Sequence, residues 1–500
     1  MSEKIFNYLL KILDPESAKS LLKSYKLDLP LTIRTNTLKI SSTELAEKLD
    51  RKGFKIQKID FIPDAFVVID EPAPISKTVE HFAGLFYIQS LSSMLPSLVL
   101  SPQPGEIILD IASAPGSKTT HIAQLMNNSG IIIANDVSFE RLKVLAHQIE
   151  RLGILNTAIT QIDGNRFGNL LPEVFDRALV DVPCSALGII SKANEVLNWW
   201  NYDEVKRLSN KQIQLLSSAI KSVKPDGIIV YSTCTLTVEE NEMVIDSILK
   251  KYPVDVEEIE YRRDDFERGL TKYDEFLFDE RVKKTVRIYP FKSGTEGFFI
   301  AKLRKTDSTF SKSPMFSDIQ SGSTQIEKLR FLLPDDKEVK NALKFLSDEF
   351  GIDEKIWEKF TFHFKYDELW FSSIEWKKIL TADFAGIDRH FKHHLLSHII
   401  QRVGMKLAKK VKNEQWKIST SALQILSPLV TKNIFEIETE EDAKNFLNGA
   451  TLKNLSLNFK PGTYIAVKYE GITLGCGLVT KEGLKSQIPK GRRTVEIEVM

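Results

Sequence analysis

Between residues 106 and 304 the chain alternates short apolar runs with amphipathic stretches, and this alternation limits its fold more than any other feature. Runs of strand length fall at 106–112, 130–136, 157–163, 175–183, 227–233 and 297–304. Helical periodicity lies between them at 117–127, 138–152, 203–223 and 237–250. Strands and helices in that order predict a parallel doubly wound sheet, an α/β core. Such sheets bind ligands at the carboxyl ends of their strands, so the residues that close the runs are the ones to read for chemistry.

The flanks differ from this core. Residues 1–100 mix a helical opening with the segment Thr32-Ile33-Arg34-Thr35-Asn36-Thr37, an amphipathic helix at 41–52 and short β-like runs such as Ala65–Ile69, which predicts a small α+β domain. The core spans 101–305. Residues 306–325, rich in Ser, Thr and Lys, read as a linker, 326–410 as a mixed connecting region, and 411–500 as a small β-rich domain with runs at Tyr464–Val467, Gly475–Val479 and Thr494–Val499. The net charge of +1 on 500 residues excludes a bulk polycation, so contact with nucleic acid must come from local patches. Three cysteines cannot form a full disulfide framework and fit a reducing compartment, so a cytoplasmic location is expected; a monomer is expected as well. The first fourteen residues read as a helix rather than a signal peptide, and no apolar run nears the roughly 20 residues of a membrane span, so no membrane role is expected.

The first run ends in Asp110-Ile111-Ala112-Ser113-Ala114-Pro115-Gly116-Ser117-Lys118-Thr119, where small residues let a turn approach a ligand closely. A phosphate-loop reading fails, because that pattern needs glycines where Ala112 and Ser117 stand. Asp136, Asp163 and Asp181 close the next three runs. Any one of them reads as a helix cap, but four acids at one edge read as a site. Asp136 is placed to accept from the ribose hydroxyls of an adenosine, and Asp163 sits near the base. Cys184 and Cys234 follow the fourth and fifth strands, and meet at this edge if the strand order reverses between the first strand and the fourth. Cys476, in Leu474-Gly475-Cys476-Gly477, fits the commoner fate of a buried small hydrophobe. His390, His393, His394 and His398 have helical spacing but no ligand partners, so no metal is expected.

Asp110 to Thr119, Asp136, Asp163, Asp181 to Ser185, Ser232 to Thr235 and Glu296-Gly297-Phe298-Phe299-Ile300 together resemble the motif series of the Sun (NSUN) family of RNA 5-methylcytosine methyltransferases. The resemblance implies a Rossmann-like methyltransferase core that binds S-adenosyl-L-methionine through Ala112, Ser113, Ala114, Pro115, Gly116, Ser117, Lys118, Asp136, Asp163 and Asp181. It assigns Cys234 as nucleophile and Cys184 to product release. It places Asp181 at ring nitrogen 3 of the target base and Lys118 beside the methyl donor, where its charge would favour a thiolate. Arg34, Asn36 and Gln89 resemble the family's RNA-contacting segment. The tail, with Lys490, Arg492 and Arg493, is similar to the PUA-like domain of the bacterial RsmF-like branch, which modifies small-subunit ribosomal RNA. Ser117, Ala186 and Phe291 depart from the family's usual Gly, Gly and His.

This chemistry requires a thiolate. Carbon 5 of cytosine takes a methyl group only after a nucleophile has added to carbon 6, and a base inside a helix cannot expose both faces of its ring. The substrate expected is therefore unpaired or flipped cytosine in RNA, ribosomal ahead of transfer RNA, with Arg402, Lys406, Lys409, Lys410, Lys412 and Lys485 as further phosphate contacts. The rival reading is a catalytically idle RNA-binding assembly factor. Retention of both cysteines and all four acids argues against it.

Overall fold

The computed structural model describes residues 3–190, 196, 200–261, 263–309, 330–377, 399–412, 415–453, 455–494 and 497. Most of the expected linker, the four clustered histidines and most of the run Thr494–Val499 lie outside the described residues.

The N-terminal part is a four-stranded antiparallel sheet. Strands β1 (Thr32–Thr35), β2 (Lys55–Lys58), β3 (Ala65–Asp70) and β4 (Phe86–Ile88) run in the order β2-β3-β1-β4, and helix α1 (Ser42–Arg51) buries Leu45 and Leu49. A capping box starts α1: Ser41 accepts from the Glu44 amide and Glu44 reaches back to the Ser41 amide. Helix α2 (Leu91–Leu100) leaves this sheet and packs on the core.

Five strands form the parallel centre: β5 (Ile107–Asp110), β6 (Ile131–Asn135), β7 (Thr157–Thr160), β8 (Phe175–Asp181) and β9 (Val223–Thr233), in the order β7-β6-β5-β8-β9. Helices α3 (Ser117–Leu125), α4 (Phe139–Leu152), α5 (Tyr202–Ser222) and α6 (Glu242–Lys251) complete the alternation. Successive side chains point to opposite faces, and both faces are apolar: Ile108, Ile132, Leu179 and Val230 enter one core, while Leu109, Ile133, Val180 and Ile229 enter another. Helix α4 shows how its sequence yields the element. Ser138 caps its first turn, Leu142, Leu145, Ile149 and Leu152 recur on one face, and Gly153 ends it at φ 77°. Burying each of those four side chains contributes roughly 1.5–3 kcal/mol.

One expectation is corrected at the far edge. Strands β10 (Val254–Glu257) and β11 (Glu267–Arg268), the small hairpin β12 (Lys272–Tyr273) and β13 (Phe276–Leu277), and β14 (Val286–Ile288) precede β15 (Phe298–Lys305). β15 lies between β9 and β14 and is antiparallel to both. The run 297–304 is thus a strand, but not a parallel one. The link from β14 to β15 is too short for the helical crossover that a parallel return needs.

After the core come α7 (Lys337–Phe350) and strands β16 (Phe360–Lys365), β17 (Glu368–Ser373), β18 (Ile400–Val403), β19 (Met405–Lys410) and β20 (Trp416–Ile418). β18 extends the core sheet antiparallel to β7, while β16-β17-β19-β20 form a sheet of their own that straddles residue 410. The C-terminal sheet runs β21 (Ile434–Ile437), β23 (Tyr464–Tyr469), β24 (Ile472–Thr480), β25 (Gly483–Ser486), β22 (Thr451–Leu452). Its interior joins that of the N-terminal sheet in one apolar cluster holding Ile33, Leu45, Phe86, Phe446, Ile465 and Leu474. The two ends of the chain therefore pack together. No helix among the described residues is long and apolar enough to cross a membrane.

Candidate active site

The strand order reverses at β5, which pairs with β6 on one side and β8 on the other, so the loops after β5, β6, β8 and β9 open at one edge. The loops after β8 and β9 carry the two cysteines. Their sulfurs lie 3.1 Å apart. The Cys184 thiol is pushed well above its ordinary pKa, first by its hydrogen bond with Cys234, then by burial and by the negative charges of Cys234 and Glu240.

Close packing fixes these loops. The Gly188 amide donates to the Cys234 carbonyl and the Gly297 amide to the Gly188 carbonyl, both at 2.9 Å. A Cβ on Gly188 would fall 2.8 Å from the Cys234 carbonyl oxygen and would strike that of Gly297, so a side chain there displaces the loop. Ala186, where the family favours glycine, adopts φ 58°, a left-handed conformation that explains the preference.

Lys118, in the first turn of α3, reaches across the edge to Asp181 at the end of β8. Its Nζ donates to Asp181 Oδ2 at 2.7 Å and to Ser93 Oγ at 3.2 Å, and lies 5.4 Å from the centre of the Phe298 ring. Ser232 Oγ donates to the other Asp181 oxygen at 2.6 Å. Burial pulls the Lys118 ammonium down. The Asp181 carboxylate, its hydrogen bond, Cys234 and Asp110 more than offset this, so its pKa lies above the ordinary lysine value. Both oxygens of Asp181 accept hydrogen bonds, one from the Lys118 ammonium and one from Ser232.

Beside these groups is a cavity of about 390 Å³ lined by Ala112, Asp136, Asp163, Asn165, Pro183 and Lys211 among others. Asp136 is 2% exposed. One of its oxygens accepts from the Ser138 amide at 2.9 Å; the other faces Arg141 at 3.3 Å but accepts no hydrogen bond. A buried acceptor left open on a cavity of this size suits the hydroxyls of an adenosine. Asp163 caps the following turn by accepting from the Asn165 amide at 3.1 Å and also lines the cavity. Of the glycine-poor loop, Ala112 lines it. Ser113 is anchored to the Asn135 carbonyl, the Ala114 carbonyl accepts from Arg141, Pro115 follows a cis bond, Gly116 turns at φ 109° and Ser117 opens α3. Asp110 is buried behind this loop, accepts from Thr119 Oγ1 at 2.7 Å, and is pushed up to about 7 by burial.

Four residues expected at RNA are turned inward instead. Arg34 is 1% exposed and donates to Gln89 Oε1, the Ser117 carbonyl and Thr120 Oγ1 at 2.9–3.1 Å, bracing the N-terminal sheet against α3. Asn36 donates to the carbonyls of Gly84 and Leu152, and Gln89 to that of Ser93. Arg492 bonds Ser421, Gln424 and the Phe82 carbonyl, tying the C-terminal sheet to the N-terminal domain. Most of their donors are engaged by protein acceptors, although the Arg34 Nε–H has no partner. Lys490 and Arg493 are exposed. Arg402 pairs with Glu150, Lys406 with Glu368 and Lys409 with Asp367, while Lys410, Lys412 and Lys485 lie on the surface. Among the described residues no group of three His, Cys, Asp or Glu could hold a metal.

Ser93, Ser232, Phe298 and Glu240 are the site residues that the sequence reading missed. Ser232 and Phe298 lie inside motifs read for their neighbours, and Glu240 stands in an acidic run, Glu239-Glu240-Asn241-Glu242, just after the Cys234 loop.

Residues 97–304 match the family described as 16S rRNA methyltransferase RsmB/F. Residues 2–91 match the N-terminal domain of 16S rRNA methyltransferase RsmF, and 432–494 the methyltransferase RsmF PUA domain. The chain is 33% identical over 470 residues to the ribosomal RNA small subunit methyltransferase F of Vibrio campbellii, covering 92% of this chain and 90% of that protein. It is 37% identical over 366 residues to the 25S rRNA (cytosine-C(5))-methyltransferase nop2 of Schizosaccharomyces pombe, covering 70% and 59%. A methyltransferase homolog from Pyrococcus horikoshii, 37% identical, covers 61% of this chain and all of its own length at a TM-score of 0.55. NSun6 from the same organism, determined with the S-adenosylmethionine analogue SFG, covers 61% of this chain and 99% of its own at 26% identity and a TM-score of 0.55.

Proposed function

The chain belongs to the RsmB/F family of 16S rRNA methyltransferases, and from that premise we propose that it forms 5-methylcytosine in small-subunit ribosomal RNA, with Cys234 as nucleophile and S-adenosyl-L-methionine as methyl donor. The observation that carries this reading is the pair of sulfurs 3.1 Å apart beside the ion pair of buried Lys118 with half-buried Asp181 and an open cavity. Asp136, Asp163 and Ala112 would hold the methyl donor, which supplies a methyl group on a sulfonium.

The thiolate of Cys234 adds to carbon 6, and the electron pair of the carbon 5–carbon 6 bond moves toward ring nitrogen 3. Lys118, the proton-bearing member of its pair, donates there, while Asp181 and Ser232 hold its ammonium in place. This shifts the role expected of Asp181 onto Lys118. Carbon 5 then accepts the methyl group and must lose its proton before the carbon 6–sulfur bond can break. Cys184 takes that proton as its thiolate, having first given up its own proton to water. Its largest restraint is the hydrogen bond to Cys234, and this vanishes once the Cys234 sulfur is bound to carbon, so Cys184 becomes more acidic at the stage that needs a base.

Lys490 and Arg493 contact RNA phosphates from the C-terminal domain. Bisulfite sequencing of RNA from a deletion strain tests the substrate: loss of one or more methylated cytosines from small-subunit rRNA is expected. An unchanged rRNA map with loss from tRNA would overturn it.

A further inference from the structure

Glu240 is fully buried, and among the described residues it has no ion-pair partner. Four donors converge on its carboxylate. Oε1 accepts from the Ser185 amide and from Gln212 Nε2, each at 2.9 Å; Oε2 accepts from Ser185 Oγ and, at 2.7 Å, from Thr237 Oγ1. Ser185 Oγ also lies 2.8 Å from Thr235 Oγ1. Ser185 directly follows Cys184 and Thr235 directly follows Cys234. Gln212 holds the Pro183 carbonyl at 2.9 Å as well, so both sides of Cys184 are gripped.

We propose that Glu240 is the positioning residue for the two cysteines, a buried carboxylate that clamps the Cys184 loop onto the Cys234 loop and keeps the sulfurs in contact. The proposal rests on the reading that both thiols serve one reaction. A lone carboxylate is costly to bury, and an apolar side chain would serve stability better, so the arrangement points to a requirement other than folding. Burial pushes the Glu240 carboxyl above the usual range while its hydrogen bonds oppose the shift. Its negative charge also helps to keep Cys184 protonated while Cys234 attacks. No other side chain among the described residues hydrogen-bonds to both the Ser185 amide and Thr237 Oγ1.

The test combines methyl-transfer kinetics with peptide-resolved alkylation of the two cysteines by iodoacetamide across pH, on the full chain. Glu240→Ala should lower kcat on the order of 10²-fold with KM for RNA unchanged, as expected when a reacting group moves by an ångström or so. Glu240→Gln keeps the size but not the charge, so it should retain more activity and alkylate Cys184 at lower pH than the wild type. Wild-type kcat in both variants, or a loss of kcat with the Cys184-to-Cys234 alkylation ratio unchanged, overturns the proposal. Should Glu240→Ala fail to fold, the Glu240→Gln alkylation curve decides alone, and an unshifted curve overturns it. A wild type that does not methylate cytosine in RNA would overturn the methylation reading, while a shifted alkylation curve would still support the clamp.

Discussion

Lys118 Nζ sits 2.7 Å from Asp181 Oδ2, joining the start of α3 to the end of β8 across the point where the strand order reverses. The pair acts as one unit, because removing either member leaves the other charge, buried for Lys118 and half-buried for Asp181, without its partner. Lys118→Met and Asp181→Asn should each lower single-turnover methyl transfer by about 10²–10⁴-fold, and the double variant by little more than either. Losses that multiply in the double variant would show that the two side chains act independently.

Arg34 braces the N-terminal sheet against α3. Arg34→Ala strips one partner from Gln89 Oε1, the Ser117 carbonyl and Thr120 Oγ1, and should destabilise the protein by on the order of 3 kcal/mol in chemical unfolding. The salt dependence of RNA binding by the folded fraction should not change. A shallower salt slope at unchanged stability would return Arg34 to the RNA surface.

Lys490 and Arg493 should behave in the opposite way. Changing either to Ala is expected to leave stability intact, to weaken binding to all RNA sequences alike, and to reduce the slope of log K against log salt by roughly one. An unchanged slope in the double variant removes the C-terminal domain's exposed cations from the interface.

His363 predicts an acid-dependent loss of stability. It lies in β16 between the rings of Phe331 and Trp370, and burial, with the charges of Lys365 and Arg402, pushes its pKa down to about 3 from 6.5. The folded state holds it neutral while the unfolded chain takes up a proton below 6.5. Its contribution is therefore present above that pH and lost as the pH falls toward 3. Between pH 7.5 and 5 this amounts to on the order of 2 kcal/mol. His363→Phe keeps the ring packing and should lose less stability than the wild type over that interval, measured by chemical unfolding at both pH values. An identical loss in the two proteins contradicts the assignment.

The core was legible in the sequence because chemistry in a doubly wound sheet gathers where strands end, and Asp110, Asp136, Asp181, Cys184 and Cys234 all stand at such ends. The direction of β15 was not legible, since an apolar run reads the same whether its strand is parallel or antiparallel. Arg34 and Arg492 misled for a related reason: a cation in a strand or turn looks alike whether it meets a phosphate or a buried carbonyl. Only packing between distant segments, such as Arg492 against Phe82, decides that. The four-stranded sheet straddling residue 410 left one signal unread, the alternation Phe360, Phe362 and Phe364 in β16. Glu240 was hidden in an acidic run of a kind that is usually solvated.

The central claim is that Cys234 attacks carbon 6 of cytosine and Cys184 serves release. RNA carrying 5-fluorocytosine, which blocks loss of the substituent at carbon 5, should trap a covalent complex with the wild type that mass spectrometry maps to Cys234. Cys234→Ala should form none, and Cys184→Ala should accumulate the complex even with ordinary cytosine. An adduct that persists in Cys234→Ala, or that maps to Cys184, would contradict the account.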